Sequence, residues 1–238
     1  MIRRSFFSKQ TTRLDSDKKV AVVIPWRETE SRVLGFKHII KYYNSVLDNP
    51  TIFTTDSGSE VFNLAASRNL GMKQAFDQGF DAVVLSDADV FVCPDTLIEA
   101  INHSLEHNVI SNPYNFLIEL TKRGTIMFFN GDERCANQYS WRSETPTFID
   151  GKISAFNPCA GLNIVPRSVW DVIGGFDENF VGWGYEDTAY LISYMKHFND
   201  IYRFEEGIAF SIFHEKEWKL DSKDNENYFK EKYTKGDE

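Results

Sequence analysis

Two carboxylates, Glu186 and Asp187, close the stretch from Gly174 to Asp187, which sets an aromatic wall and an acidic pair on a turn feeding a helix. Upstream, Asp87-Ala88-Asp89 follows the apolar run Ala82-Val83-Val84-Leu85. One acidic pair could hold a divalent cation on a diphosphate while the other removes a proton from an incoming hydroxyl, the outline of metal-assisted group transfer. Asp87 and Asp89, one residue apart just past a buried strand, can project toward one cation whose other ligands are diphosphate oxygens and water. Hard oxygen donors suit Mg2+ or Mn2+. Standing alone, the same residues would make an Asx-type turn ahead of a helix at Pro94. His214, at the end of an apolar strand, could add an imidazole and move the preference toward Mn2+, although such a histidine is by itself more often a surface residue.

Carboxylates in a first helical turn commonly serve only the helix dipole and its free amides. Against that stand Gly182-Trp183-Gly184, whose glycines allow close backbone approach while the indole offers an apolar platform for a sugar face. With Tyr185 beside it, this is the candidate donor-sugar and acceptor platform. Arg27, after the first strand, and Arg68, followed by Asn69, are candidates for diphosphate or base contacts, since guanidinium matches phosphate geometry bidentately; the alternative for each is an ordinary salt bridge. Tyr139, Trp141 and Phe148 could line an acceptor groove or pack a lid.

Positioning these groups requires strand ends and helix starts. Val20 to Ile24 reads as a buried strand ended by Pro25, delivering Trp26-Arg27 to a sheet edge. Val33, Phe36, Ile39, Ile40, Tyr43 and Leu47 recur at helical spacing, Ile52 to Thr55 is a second strand with Asp56 at its end, and a second amphipathic helix runs from about Asn63 to Gln78. Val83 to Leu85 is the third strand and Pro94 to His107 the third helix. This β-α alternation predicts a single α/β, Rossmann-like domain, with a mostly parallel sheet flanked by helices and ligands beyond the carboxyl ends of its strands. From Thr121 to Asn157 the pattern is irregular, as in substrate loops. Helices follow over Pro166 to Ile173 and Glu186 to Phe198, and a last strand runs from Ile208 to Phe213.

The 238 residues carry 42% hydrophobic side chains, ample for one core. A formal charge of -9 supplies no general attraction to nucleic-acid backbones or anionic membranes. Cys93, Cys135 and Cys159 lack C-x-x-C spacing, which fits a reducing, cytoplasmic location. No apolar run approaches the roughly 18 residues of a spanning helix. Residues 1–18 read as a flexible leader, 19–220 as the domain (nucleotide half about 19–110, acceptor and catalytic half about 111–220), and 221–238 as a charged helix or tail.

Assembled, these segments resemble the GT-A inverting glycosyltransferases, closest in pattern to β-1,4-galactosyltransferases, polypeptide N-acetylgalactosaminyltransferases and bacterial family-two enzymes. The likeness runs from Val20 to about His214: Ile24-Pro25-Trp26-Arg27 resembles the nucleotide segment, Ser67-Arg68-Asn69-Leu70-Gly71 the arginine-asparagine helix, and Asp87-Ala88-Asp89 the DxD motif. Cys159-Ala160-Gly161-Leu162-Asn163 through Gly182 to Asp187 resembles the donor-sugar and acceptor segment. The resemblance implies transfer from a nucleotide diphosphate sugar, UDP-linked by analogy, to a hydroxyl on a glycan, protein, lipid-linked glycan or modified nucleobase. It implies Asp89 and His214 as metal ligands, Asp87 on ribose or metal, and Pro25, Trp26, Arg27, Asp56 and Arg68 on nucleotide and diphosphate. Gly161 would leave space for the donor sugar, Trp183 would floor the pocket, Asp187 would be the base, and Glu186 would sit on sugar hydroxyls. Tyr185 departs from a family glycine, and Ser211 from a metal-binding methionine. A nucleotidyltransferase, or a non-catalytic sugar-nucleotide or glycan binding module, remains as an alternative; the first would want a glycine-rich, lysine-containing loop that the opening segment lacks.

Overall fold

The computed structural model describes residues 11–15, 17–144, 161–182, 184–199, 201–215 and 223–234, without the side chains of 141–144. The chain opens with β1 (Val20–Pro25), α1 (Val33–Val46), β2 (Thr51–Thr55), α2 (Leu64–Asp77), β3 (Ala82–Ser86), β4 (Val90–Val92) and α3 (Pro94–His107). It continues through β5 (Ser111–Asn112), β6 (Phe116–Leu120), α4 (Lys122–Phe129), a 3-10 turn at Glu133–Asn137 and β7 (Tyr139–Glu144). The last elements are β8 (Leu162–Pro166), α5 (Arg167–Ile173), α6 (Glu186–Met195), β9 (Tyr202–Arg203), β10 (Ile208–Ser211) and α7 (Lys223–Tyr233).

The main sheet has the order β2-β1-β3-β8-β5-β9. β1 pairs in parallel with both β2 and β3, whereas β8 runs antiparallel to its neighbours β3 and β5. The sheet is therefore mixed, with β8 alone reversed. β1 is buried along its whole length, and the two-residue period of a strand sends Val22 and Ile24 into one core with α1 and α3 while Ala21 and Val23 face a second with α2 and α6. Gly71 lets α2 lie flat on β1, since a Cβ there would stand 2.3 Å from the Val23 side chain. Among the described residues no helix is long and apolar enough to cross a membrane.

A second sheet, β4-β10-β6-β7, packs beside the first. β10 pairs antiparallel with β4 and parallel with β6. The irregular segment from Thr121 thus holds α4, the 3-10 turn and β7 up to Glu144; its remainder, including Phe148, lies outside the described residues. In the segment read as a leader, the Thr11 and Thr12 amides both donate to Asp95 Oδ1 at 2.8 Å, tying residues 11 and 12 to the first turn of α3.

Candidate active site

The parallel strands end together, so Arg27, Asp56 and Asp87 all stand beyond their carboxyl ends. Arg27 and Asp56 meet each other there. Arg27 Nε and Nη2 donate to the two Asp56 oxygens at 2.6 and 2.7 Å, and the same guanidinium donates to the carbonyls of Ser59 and Glu60. This bidentate pairing holds the Asp56 carboxyl below the ordinary carboxylate range. The pair closes the turn at 56–60 and is not a free phosphate fork. Trp26 stacks on Phe36 of α1, ring centroids 4.1 Å apart, which fixes the indole just after Pro25.

Arg68 leaves α2 on its buried face and is 2% exposed. Its Nη1 reaches Asp187 Oδ1 at 2.5 Å and Glu186 Oε1 at 3.6 Å, while Nη2 reaches Asp87 Oδ1 at 3.0 Å. The Phe176 ring supports the guanidinium from 5.0 Å. One fully buried cation is thus shared by three carboxylates from two distant parts of the chain. The sequence reading left Arg68 between a diphosphate or base contact and a salt bridge; here Nη1 and Nη2 face the three carboxylates. Burial pushes the Asp187 carboxyl up to about 8, with Arg68 opposing the rise and Glu186 and Asp87 adding to it. Glu186 also shifts upward, chiefly through burial. A carboxyl lifted toward neutrality suits a general base, because its basicity rises with its pKa.

Asp89 and His214 are brought together by the second sheet. β4 begins right after Asp89, β10 ends at Ser211, and the Ile212 amide donates to the Asp89 carbonyl at 2.8 Å. Asp89 Oδ2 lies 3.1 Å from His214 Nε2 and accepts from the Ser211 hydroxyl at 3.1 Å. Burial alone would raise Asp89, but His214, Arg32 and Ser211 hold it below its usual value; the Asp89 carboxylate in turn raises His214. Among the described residues no three His, Cys, Asp or Glu side chains converge on one metal-sized point. One carboxylate and one imidazole nevertheless fit a Mn2+ or Mg2+ ion that takes its remaining ligands from diphosphate and water. Arg32 Nη2 stands 3.5 Å from His214 Nε2 and places a positive charge at the same mouth, which suits a diphosphate there and works against the cation itself. Sequence reasoning missed Arg32; the only signal was a basic residue one position ahead of α1.

The turn before α6 is unusual in its backbone. Gly182, Gly184 and Tyr185 all have positive φ, with Tyr185 at 72°. An L-residue in the left-handed region costs roughly 1–2 kcal/mol, which explains why glycine suits this place and why Tyr185 needs support from its neighbours. The Gly184 amide donates to Glu186 Oε2 at 3.0 Å, locking the turn to the helix start. Gly161, with φ 78°, accepts the Asp87 amide on its carbonyl at 2.7 Å, and a Cβ there would stand 3.0 Å from the Tyr114 hydroxyl. Trp183, Cys159 and Ala160 lie outside the described residues, as does the side chain of Trp141.

A family model described as Glycosyltransferase like family 2 matches residues 22–225. No curated protein matches the chain. Among solved structures, GalNAc-T7 with UDP, GalNAc and Mn2+ superposes with a TM-score of 0.51 at 12% identity, over 86% of this chain and 46% of that one. A Drosophila β-1,4-galactosyltransferase 7 mutant in complex with manganese, UDP-Gal and xylobiose gives 0.46 at 17% identity, over 78% of this chain and 64% of that one. S. aureus TarS in complex with UDP-GlcNAc gives 0.46 at 15% identity, over 84% and 60%. The chain spans less than two thirds of the length of each. The GalNAc-T7 superposition places the fold among GT-A structures.

Proposed function

The chain belongs to the Glycosyltransferase like family 2, and from that premise and the site geometry we propose that it is a metal-dependent inverting glycosyltransferase using a nucleotide diphosphate sugar. The observation that carries the reading is the convergence of Asp87, Glu186 and Asp187 on buried Arg68. With three potential negative charges around one positive charge, the cluster has room for a proton, as a base that takes one from an acceptor hydroxyl requires.

In this reading Asp187 receives the proton of the acceptor hydroxyl, whose oxygen attacks the anomeric carbon as the bond to the diphosphate oxygen breaks, with inversion. Glu186 orients sugar hydroxyls. Pro25, Trp26 and the Arg27–Asp56 pair border the nucleotide, Gly161 leaves room for the donor sugar, and Gly184 and Tyr185 border the sugar platform. Arg32 adds charge toward the diphosphate. Asp89 and His214, with Asp87 beside them, would hold Mn2+ or Mg2+, which supplies neutralisation of the departing diphosphate. The absence of C-x-x-C spacing among Cys93, Cys135 and Cys159 suits a cytoplasmic, reducing setting.

UDP is the first nucleotide to test, because GalNAc-T7 was solved with UDP and Mn2+. UDP with Mn2+ is expected to raise the melting temperature more than either alone, through mass action, and EDTA or His214→Ala should abolish the joint effect. Absence of synergy with UDP, GDP, CDP and dTDP alike would remove the metal-diphosphate reading. Acceptor panels of glycans, peptides, lipid-linked glycans and hydroxylated nucleobases then identify the hydroxyl. Pyrophosphate release from a nucleoside triphosphate would instead mark a nucleotidyltransferase.

The pH profile should carry the Asp187 signature. A base whose pKa is raised stays protonated at mildly acid pH, so kcat/KM should climb through a limb displaced upward, toward about pH 8. A limb near the ordinary carboxylate value of about 4 would argue that another group is the base.

A further inference from the structure

The loop from Gly174 to Tyr185 is held from two sides. From α2, Asn69 both accepts the Phe176 amide at 2.7 Å and donates to the Phe176 carbonyl at 2.9 Å, and Asn63 donates to the Glu178 carbonyl. From the other side comes α7, in the segment read from sequence as a solvated helix or tail. Asp177 Oδ2 accepts from the Tyr228 hydroxyl at 2.9 Å, Lys232 Nζ at 2.7 Å and the Tyr233 hydroxyl at 2.8 Å. Buried Asn225 donates to the Val181 carbonyl at 3.0 Å, and Phe180 packs against the rings of Tyr228 and Tyr233. At the far end, Tyr185 lies against Phe229, centroids 5.1 Å apart.

That last contact falls on the strained residue directly before Glu186 and Asp187. In the left-handed region a tyrosine relaxes unless its side chain is held, and relaxation would turn the first residues of α6 away from Arg68. We propose that α7 is a clasp for the carboxylate pair: Asp177 anchors the helix, Phe229 holds Tyr185 in its left-handed conformation, and both are positioning residues for the transfer proposed above, on which this role rests. The nucleotide-side groups Arg27, Asp56 and Asp89 take the partners described above from the turn at 56–60, Ser211 and His214, away from α7.

The test compares Phe229→Ala, Phe229→Tyr and Asp177→Asn in the full chain, by amide hydrogen exchange and by transfer kinetics. Phe229→Ala should speed exchange at the amides of 184–187 by about tenfold, leaving the β1 and β3 amides unchanged, and Phe229→Tyr should restore protection. UDP affinity with Mn2+ should stay within about twofold while kcat for transfer falls by about tenfold. Tyr185→Gly should make exchange of the loop indifferent to Phe229, because glycine holds positive φ unaided. Unchanged exchange in Phe229→Ala, or loosening that spreads equally through β1 and β3, overturns the clasp. If Phe229→Ala fails to fold, Asp177→Asn decides on the same amides. Exchange needs no turnover, so a parent protein without transferase activity would overturn the proposed reaction and leave this result standing or falling by itself.

Discussion

Asp187→Asn is expected to leave the fold and UDP binding intact while lowering sugar transfer by about 10²- to 10⁴-fold, the range for loss of a positioned general base. The asparagine keeps the volume of the side chain and retains an oxygen to accept from Arg68 Nη1, so the cluster loses a titrating group and keeps its geometry. Because burial already favours the neutral form of Asp187, an uncharged amide should cost little stability. Single-turnover transfer, with a melting curve on the same sample, checks the point: unchanged turnover in a folded variant removes Asp187 as the base.

The second large effect is on stability. Arg68→Met should destabilise the protein by about 3–5 kcal/mol, since removing one member of a buried charged group leaves the others uncompensated. For a chain of this size that corresponds to a fall in Tm of roughly 6–20 °C. The deficit has a definite pH dependence. Without Arg68 the carboxyls of Glu186 and Asp187 would be protonated more readily folded than unfolded, so the folded state binds extra protons and its stability drops as pH rises. Melting curves at pH 5 and pH 8 should therefore diverge further for the variant than for the parent. An equal deficit at both would mean that lost packing against Phe176, and not lost charge, dominates.

The nucleotide half was legible because β1 and β3 are continuous buried apolar runs and α1 between β1 and β2 carries a 3.6-residue period, so these strands and the side chains at their ends could be placed from the sequence. The second sheet was legible only at β10, read as a strand from Ile208; β4 is three residues long and carries no period of its own. Yet that sheet brings Asp89 to His214, a meeting the sequence suggested through residue type, strand-end position and family likeness, with no local signal of the strand pairing that makes it. Arg68 shows a different limit. Its residue type announced a bidentate partner, but whether the partner is a phosphate or a carboxylate depends on what the loop before α6 places next to it, and three-dimensional proximity of that kind leaves no local trace. Tyr185 was noticed as a departure from glycine on grounds of crowding; the backbone angle now gives the conformational reason.

The reversed strand β8 has a consequence for synthesis. It sits between β3 and β5, and β5 joins the main sheet only through it, at Ser111 opposite Ile164. A nascent chain can assemble β1, β2 and β3 early, yet the outer edge of β3 stays bare until residues 162–166 leave the ribosome, about 80 positions later by the β3–β8 register. Exposed strand edges recruit other chains, so the interval between those two moments is when a slow or stalled ribosome would cost the cell most of its yield.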